Sequence, residues 1–215
     1  MRDTKKRNDG QQEATAIISA GKSYTYKHLL MASQQVGSYL LMAEKDLNET
    51  RVAFMVSPSF EYVATQWGIW RAGGVAVPLC VTYPLPSLRY VIEDTQAQIV
   101  VASREFANLL APLAAELQLR FVVLEDILED FETLCLMPRL AASRRAMILY
   151  TSGTTNLPKG VVTTHANIEA QVTTLVKAWQ WTSQDHILCV LPLHHVHGII
   201  NVVSCALWSG ATVEF

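Results

Sequence analysis

Hydroxyl side chains, glycines and a lysine are concentrated in residues 151–160, which read Thr-Ser-Gly-Thr-Thr-Asn-Leu-Pro-Lys-Gly. Hydroxyl and backbone N–H groups donate hydrogen bonds to phosphate oxygens, and a lysine offsets the negative charge of those oxygens. Gly153 lets the backbone approach a ligand closely, and Pro158 restricts the backbone just before Lys159. The segment therefore predicts a phosphate-binding loop.

A Walker A loop and an ordinary turn are the two alternative interpretations of this segment. A Walker A loop requires Gly-Lys-Ser/Thr, whereas Pro158 precedes Lys159 and Gly160 follows it. The residues Thr-Ser-Gly-Thr-Thr alone are equally typical of an ordinary turn between two strands. The continuation through Pro-Lys-Gly is far more specific, and it favours the phosphate-binding loop over the turn.

Three histidines, His194, His195 and His197, form a second group of residues that could do chemistry. A metal site is the first hypothesis, but residues 191–198 contain no Cys, Asp or Glu to complete it. Adjacent residues of a strand also point to opposite faces, which separates neighbouring histidines. Partly buried histidines at a corner between a strand and a helix are the alternative without a ligand.

Apolar runs that are typical of strands alternate with segments of helical periodicity, and this alternation predicts how both groups are positioned. The predicted strands are 51–56, 75–79, 99–102, 121–124, 146–151, 160–164, 187–191 and 211–215. The predicted helices are 25–44, 57–72, 88–95, 105–117, 167–179 and 198–208, with Thr25 and Asn167 as N-caps. This order predicts an α/β fold of mainly parallel sheets flanked by helices.

The predicted organisation has four parts. Residues 1–15 are a disordered or atypical N-terminus, and 16–125 are a first α/β subdomain. Residues 126–144 show weak periodicity and form a linker, and 145–215 begin a second subdomain that carries the phosphate loop. The last strand has no helix after it, so we expect a truncated fold with an exposed, aggregation-prone sheet edge at 211–215.

Composition excludes several classes of protein. A net charge of −2 and a pI near 6.3 argue against a nucleic-acid-binding surface. The most apolar run, 198–208, is shorter than the about 20 residues that a membrane span needs. Four scattered cysteines indicate a reducing, intracellular compartment. The N-terminus does not choose between mitochondrial matrix and cytosol, and the sequence does not indicate an oligomeric state.

The string that begins at Tyr150, Tyr-Thr-Ser-Gly-Thr-Thr-x-x-Pro-Lys-Gly, resembles the signature of the adenylate-forming (AMP-binding) superfamily of acyl-CoA synthetases, luciferases and peptide-synthetase adenylation domains. The chain resembles the N-terminal part of the large domain of these enzymes. Residues 73–79, 178–182 and 194–198 are similar to the malonyl-CoA synthetase subgroup, and the similarity extends from about residue 17 to residue 215.

The resemblance implies a ligase that uses ATP, Mg²⁺ and coenzyme A to activate a small carboxylic acid, with malonate or methylmalonate favoured. It implies catalytic roles for Lys159 and for His195, which lies three residues after Pro192. No metal ligand is assigned, and Thr155 is the candidate neighbour of the magnesium ion. The residues implied to bind ATP phosphates are Thr151, Ser152, Gly153, Thr154, Thr155, Asn156, Leu157, Pro158 and Lys159.

Two departures from the family pattern limit this expectation. Asn156 stands where the family usually has glycine. Because asparagine tolerates positive φ, we expect the loop to keep its shape. The effect of Asn156 on turnover stays open. The adenine-binding Tyr-Gly-x-Thr-Glu segment does not occur in the 215 residues. We therefore expect no thioester formation by this chain alone. The alternatives are a non-catalytic nucleotide-binding fragment and a ligase for a different acid.

Overall fold

The computed structural model describes residues 12–42, 44–131, 133–151 and 157–215. Within them the chain forms two sheets with helices packed between and around them. None of the helices in these ranges is long and apolar enough to cross a membrane.

A six-stranded sheet forms the centre of the fold. Its strands are β3 (Arg51–Met55), β4 (Val75–Pro78), β5 (Ile99–Ala102), β6 (Arg120–Val123), β7 (Arg145–Thr151) and β8 (Lys159–Thr164). They are arranged in the order β6-β5-β3-β4-β7-β8. All neighbours are parallel except β7 and β8, which are antiparallel. A seven-residue connection can join antiparallel strands but is too short for a parallel crossover, so β7 and β8 form a hairpin.

Helices cover both faces of this sheet, which confirms the predicted α/β class. They are α1 (Tyr26–Leu41), α2 (Phe60–Arg71), α3 (Leu85–Asp94) and α4 (Arg104–Glu116). Alternate residues of β3 supply the two cores: Val52 and Phe54 pack with α1 and α2, while Ala53 and Met55 pack with α3 and α4. Strands buried on both faces are continuously apolar, and this is why the sequence shows apolar runs rather than alternation.

A second sheet has four strands, β1 (Thr15–Ser19), β2 (Lys22–Thr25), β9 (His186–Leu188) and β10 (Thr212–Glu214). They are arranged in the order β2-β1-β10-β9. The predicted exposed edge at 211–215 is wrong, because β10 pairs with β1 on one side and β9 on the other. The hairpin of β1 and β2 was not predicted; its turn places Ala20 and Gly21 at positive φ, as tight hairpin turns require.

The sheet pairing differs from the predicted division at residues 126–144. The six-stranded sheet combines strands from before and after that segment, and so does the four-stranded sheet. The segment itself begins within a helix, α5 (Leu124–Asp130), which was not predicted. Leu124 and Ile127 are buried in the core, and the acidic Glu125 and Asp126 lie in the first turn, where they favour a helix electrostatically.

The helix that follows the hairpin, α6 (His165–Trp179), begins earlier than predicted. Its N-cap is Thr164, whose hydroxyl accepts a hydrogen bond from the backbone N–H of Asn167 at 3.2 Å. Asn167, the predicted cap, is the third helical residue, and its carboxamide oxygen accepts from the backbone N–H of Thr164 at 3.0 Å. The predicted N-cap of α1 is confirmed, because Thr25 forms the same reciprocal pair with His28.

Other boundaries also differ from the sequence prediction. Helix α3 begins at Leu85, three residues before the predicted start, and β9 ends at Leu188 rather than at 191. The predicted helix 198–208 is a π-helix (His197–Ser204) followed by a short α-helix, α7 (Cys205–Ser209). The hydroxyl of Ser204 donates to the carbonyl of Ile199, five residues back, which matches the wider π spacing.

Candidate active site

The β7–β8 hairpin carries the described ends of the predicted phosphate loop. Thr151, the last residue of β7, lies directly opposite Lys159, the first residue of β8, and both are exposed. Residues directly opposite each other in an antiparallel pair project from the same face. The hydroxyl of Thr151 and the ammonium group of Lys159 therefore lie on one side of the hairpin. Ser152, Gly153, Thr154, Thr155 and Asn156 lie outside the described residues.

The remaining loop residues, Leu157 and Pro158, have different surroundings. The side chain of Leu157 is 60% exposed. Pro158 is half-buried, and its carbonyl oxygen accepts a hydrogen bond from the hydroxyl of Tyr90 at 2.9 Å. The loop is thus attached to helix α3 immediately before Lys159.

A second attachment lies at the other end of the loop. The hydroxyl of Tyr150 donates to the carboxylate of Asp94 at 2.5 Å. Burial raises the pKa of the Tyr150 hydroxyl, and the hydrogen bond to Asp94 raises it further, so the phenol stays protonated and remains a donor. Neither Tyr90 nor Asp94 was predicted from the sequence, where their only signal is a spacing of four residues on a predicted helix.

The histidine group lies in the irregular segment between β9 and the π-helix. His194 is half-buried and His195 is exposed, and their ring centroids are 4.1 Å apart. Burial and the neighbouring His195 both lower the pKa of His194, which favours its neutral form. At the end of the segment, a Cβ at Gly198 would lie 2.6 Å from the carbonyl oxygen of Pro192, so this corner has no room for a side chain.

A cavity of about 340 Å³ opens beside these histidines. It lies at the carboxyl ends of β3, β4 and β9, where α/β proteins commonly bind ligands. The hydroxyl of Tyr62 donates to the carbonyl of Leu193 at 2.6 Å and fixes one wall. The lining residues are Val56, Pro58, Tyr62, Leu79, Cys80, Val81, Thr82, Cys189, Val190, Leu191, Pro192, Leu193 and His194.

The lining is mostly apolar, with Thr82 and His194 among its few polar side chains. A concave apolar pocket with a few convergent polar groups suits a small organic ligand. His195, the histidine predicted to act on substrate, is the neighbour of the lining residue His194. Of the predicted histidine group, the structure thus places His194 in the wall of this cavity.

Residues 80–94 connect the cavity with the hairpin. Cys80, Val81 and Thr82 line the cavity, and the ring of Tyr83 lies 5.9 Å from the ring of His194. Helix α3 begins two residues later and contacts both ends of the loop. The two motifs, about 35 residues apart in sequence, are thus joined through one short stretch of chain.

No cluster of three or more His, Cys, Asp or Glu side chains in the described ranges could hold a metal ion. Thr155, the predicted neighbour of magnesium, lies outside those ranges. The described part of the hairpin instead offers an ammonium group and a hydroxyl, which suit an anionic ligand.

Comparison with known proteins decides the family. A sequence profile described as "AMP-binding enzyme" matches residues 4–215. The chain belongs to the AMP-binding enzyme family. This membership confirms the resemblance that was inferred from the Tyr150–Gly160 string.

Relatives of known name place this AMP-binding enzyme near one subgroup. It is 41% identical over 212 residues to Malonate–CoA ligase ACSF3, mitochondrial, of Xenopus laevis, and the match covers 93% of this chain and 36% of the relative. It is 42% identical over 206 residues to the Homo sapiens protein of the same name, covering 92% and 36%. The chain thus spans about 36% of the length of these relatives.

Solved structures agree with the fold. Apo MatB from Rhodopseudomonas palustris superimposes with a TM-score of 0.87 at 28% identity, covering 97% of this chain and 43% of MatB. ATP-bound MatB gives the same TM-score at 29% identity and the same coverage. The predicted fold, the N-terminal α/β part of an adenylate-forming large domain, is confirmed. The individual roles of Lys159, His195 and the loop residues stay predictions.

Proposed function

We propose that the protein containing this chain activates malonate with ATP and transfers the malonyl group to coenzyme A. The observation that carries this proposal is the identity of 41–42% to relatives named Malonate–CoA ligase, over more than 90% of the chain. The cavity of about 340 Å³ beside the histidine group supports it, because a small acid fits such a space.

The reaction proceeds in two steps that together consume ATP. A carboxylate oxygen of the acid attacks the α-phosphorus of ATP, the bond to the β-phosphate oxygen breaks, and pyrophosphate leaves. The thiol of coenzyme A, having lost its proton, then attacks the acyl carbonyl carbon and AMP leaves. Both steps move negative charge on phosphate groups, so cations and donors fixed near those groups accelerate them.

The hairpin supplies these groups in the proposal. The ammonium group of Lys159 and the hydroxyl of Thr151, which share one face, stabilise the charge on the ATP phosphates. Ser152, Thr154 and Thr155 add hydroxyl donors. ATP binds as its magnesium complex, and Thr155 is the proposed neighbour of the ion.

The histidine pair positions the acid. His194 stays neutral because burial and its neighbour lower its pKa, and this avoids two adjacent imidazolium groups. The exposed imidazole of His195 then donates a hydrogen bond to the carboxylate beside the α-phosphate. Orienting the attacking oxygen in this way lowers the entropic part of the barrier.

The test uses the protein expressed from the complete coding sequence. Pyrophosphate release is measured with ATP, Mg²⁺ and coenzyme A, and with malonate, methylmalonate or acetate as the acid. We expect malonate to give the highest kcat/KM. A higher kcat/KM with methylmalonate or acetate would identify that acid, instead of malonate, as the substrate. No pyrophosphate release with any of the acids would favour the non-catalytic alternative.

Two lysine variants test the role of the hairpin. Lys159→Ala is expected to lower kcat/KM about 100-fold, because it removes a charge fixed beside the reacting phosphates. Lys177→Ala is the matched control, since Lys177 is exposed in the last turn of α6 and should leave the rate unchanged. The 215-residue chain alone should release no pyrophosphate, and release from it would contradict our assignment of activity to the larger protein.

We propose a mitochondrial location, because the names of the animal relatives include "mitochondrial". Fractionation of cells that express the complete coding sequence tests this. Co-purification with a matrix marker is expected, and a purely cytosolic protein would contradict it.

A further inference from the structure

Helix α3 presents two polar side chains to the phosphate-binding hairpin. Tyr90 and Asp94 are four residues apart, so they lie on the same face of the helix. The hydroxyl of Tyr90 donates to the carbonyl of Pro158, the residue before Lys159. The carboxylate of Asp94 accepts from the hydroxyl of Tyr150, the residue before Thr151. One helical face is therefore bonded to the end of β7 and to the loop residue just before β8.

Aromatic packing joins the two attachments into one cluster. The rings of Tyr90 and Tyr150 meet edge to face, with centroids 6.1 Å apart and planes at 79°. Gly160 lies opposite Tyr150, and a Cβ at Gly160 would lie 3.2 Å from Cζ and 3.3 Å from the hydroxyl oxygen of that tyrosine. The missing side chain at Gly160 leaves room for the ring to lie beside the neighbouring strand.

The fold does not need these contacts to place α3. Leu88, Val91 and Ile92 are buried and pack the helix onto the six-stranded sheet. Asp94 is exposed and Tyr90 is only partly buried, so their hydrogen bonds contribute little to global stability. What the contacts do determine is the position of the hairpin ends relative to a firmly packed helix.

We infer that Tyr90 and Asp94 are positioning residues, which hold Lys159 and Thr151 in register with the phosphates by fixing both ends of the hairpin to α3. This inference rests on the proposed phosphate-binding role of the hairpin. Displacing a fixed cation by about 1 Å can cost a large factor in rate, so a lost attachment affects the nucleotide step more than the fold.

The same arrangement gives a role to those residues of the Tyr150–Gly160 string whose side chains do not bind phosphate. Thr151 and Lys159 carry the groups that face an anion. Tyr150, Pro158 and Gly160 instead supply, in order, the donor to Asp94, the acceptor for Tyr90 and the space for the Tyr150 ring.

The variants are made in the protein expressed from the complete coding sequence. Asp94→Ala removes the acceptor, Asp94→Asn keeps an acceptor oxygen without the charge, and Tyr90→Phe removes one hydroxyl. Tyr26→Phe is the matched control: it also removes a tyrosine hydroxyl bonded to a backbone carbonyl, that of Ala211 at 2.6 Å, but this bond joins the start of α1 to the residue before β10.

Steady-state pyrophosphate release is measured with ATP varied and then with the acid varied. We expect Asp94→Ala to lower kcat/KM for ATP about tenfold and Tyr90→Phe about threefold, as the loss of one hydrogen bond predicts. Asp94→Asn should restore the rate to within about twofold of the original protein, and KM for the acid should not change in any of them. Tyr26→Phe should lower the Tm and leave kcat/KM for ATP unchanged.

Three results would overturn the inference. The first is an unchanged kcat/KM for ATP in Asp94→Ala. The second is a rise in KM for the acid as large as the decrease in kcat/KM for ATP. The third is a loss of rate that follows a loss of Tm in every variant, including Tyr26→Phe. Hydrogen exchange of residues 157–164 in the same proteins gives a readout that needs no activity. Faster exchange there in Tyr90→Phe and Asp94→Ala supports the attachment, and unchanged exchange contradicts it.

The exchange measurement also separates this inference from the proposed function. If the original protein turns over none of the acids, the proposed function fails. The exchange rates then decide whether α3 holds the hairpin.

Discussion

Lowering the pH from 7.5 to 4.5 is expected to destabilise the chain through one buried histidine, His165. This residue is the first of α6 and is 7% exposed. Its ring meets the ring of Trp70 edge to face at 6.2 Å, and its backbone N–H donates to the carbonyl of Arg144 at 3.0 Å. A positive charge on this ring would be desolvated and would lie at a helix N-terminus, which disfavours cations.

Burial, together with the nearby charge of Arg144, lowers the pKa of His165 from 6.5 to about 4. Between these two values the unfolded chain binds more protons than the folded chain does. The free energy of unfolding is therefore at its full value above pH 6.5 and falls as the pH falls towards 4. A shift of about 2.5 pH units corresponds to about 3 kcal/mol in total, of which about 2.5 kcal/mol is lost by pH 4.5.

Urea unfolding followed by tryptophan fluorescence at pH 7.5 and 4.5 measures this loss. His165→Gln keeps a polar side chain of similar size without a titrating group, so its loss between the two pH values should be smaller by about 2.5 kcal/mol. His197→Gln is the control, because it removes an exposed histidine and should keep the original pH dependence.

Comparing the loss of unfolding free energy between the two pH values among the three proteins cancels the contributions of the titrating groups that they share. The pKa of His194 is also lowered, so it adds a loss of the same sign in all three proteins. Equal pH dependence in His165→Gln and the original protein would refute the assignment. A parallel decrease in His197→Gln would refute it as well.

Two further substitutions test particular backbone positions. Gly73 has φ +83°, and a Cβ there would lie 2.2 Å from the carboxylate of Asp46, so Gly73→Ala should lose about 2–3 kcal/mol in urea unfolding. Gly21→Ala is its control: φ is +74° with nothing within 4 Å of the added Cβ, so it should lose only about 1 kcal/mol, and equal losses would contradict the steric explanation. Thr164→Ala removes the N-cap of α6 and should cost about 1 kcal/mol, and an unchanged urea midpoint would contradict the capping role.

The parallel strands were the part of the fold that the sequence predicted best. The strand at 99–102 is observed as predicted, and β7 begins one residue before the predicted start. Short apolar runs between polar residues have few other solutions when both faces of a sheet are buried. The local run of apolar residues was sufficient to predict the position of these strands, because each strand buries its own side chains.

Strand partners were not predictable in the same way. Strand β1 pairs with β10, so Ile17 lies beside Val213 although the two are nearly 200 residues apart in sequence. Nothing local to either strand specifies that partner, since pairing depends on which edges the folded helices leave available. The prediction of an exposed edge at 211–215 failed for this reason.

The candidate site likewise contains residues that the local sequence predicts and residues that only the folded structure brings together. Residues that face a ligand form a compact string, so Thr151 and Lys159 could be found from side-chain chemistry and spacing alone. The cavity could not, because its walls come from the ends of three strands that meet only in the fold. Tyr90 and Asp94 carry no signal in the sequence beyond their spacing of four residues on a predicted helix.

A short motif therefore predicts the ligand but not the structure that holds it in place. At the two described ends of the Tyr150–Gly160 string, side chains that can face phosphate alternate with positions that attach to α3 or make room for that attachment. The turn before α3 also contacts His194 through Tyr83, so a shift of this helix would reach the hairpin and the cavity together. Substitutions of Leu88, Val91 or Ile92, which pack α3 onto the sheet, should for this reason weaken nucleotide and acid binding together, unlike the loss of a single hydrogen bond from Tyr90 or Asp94.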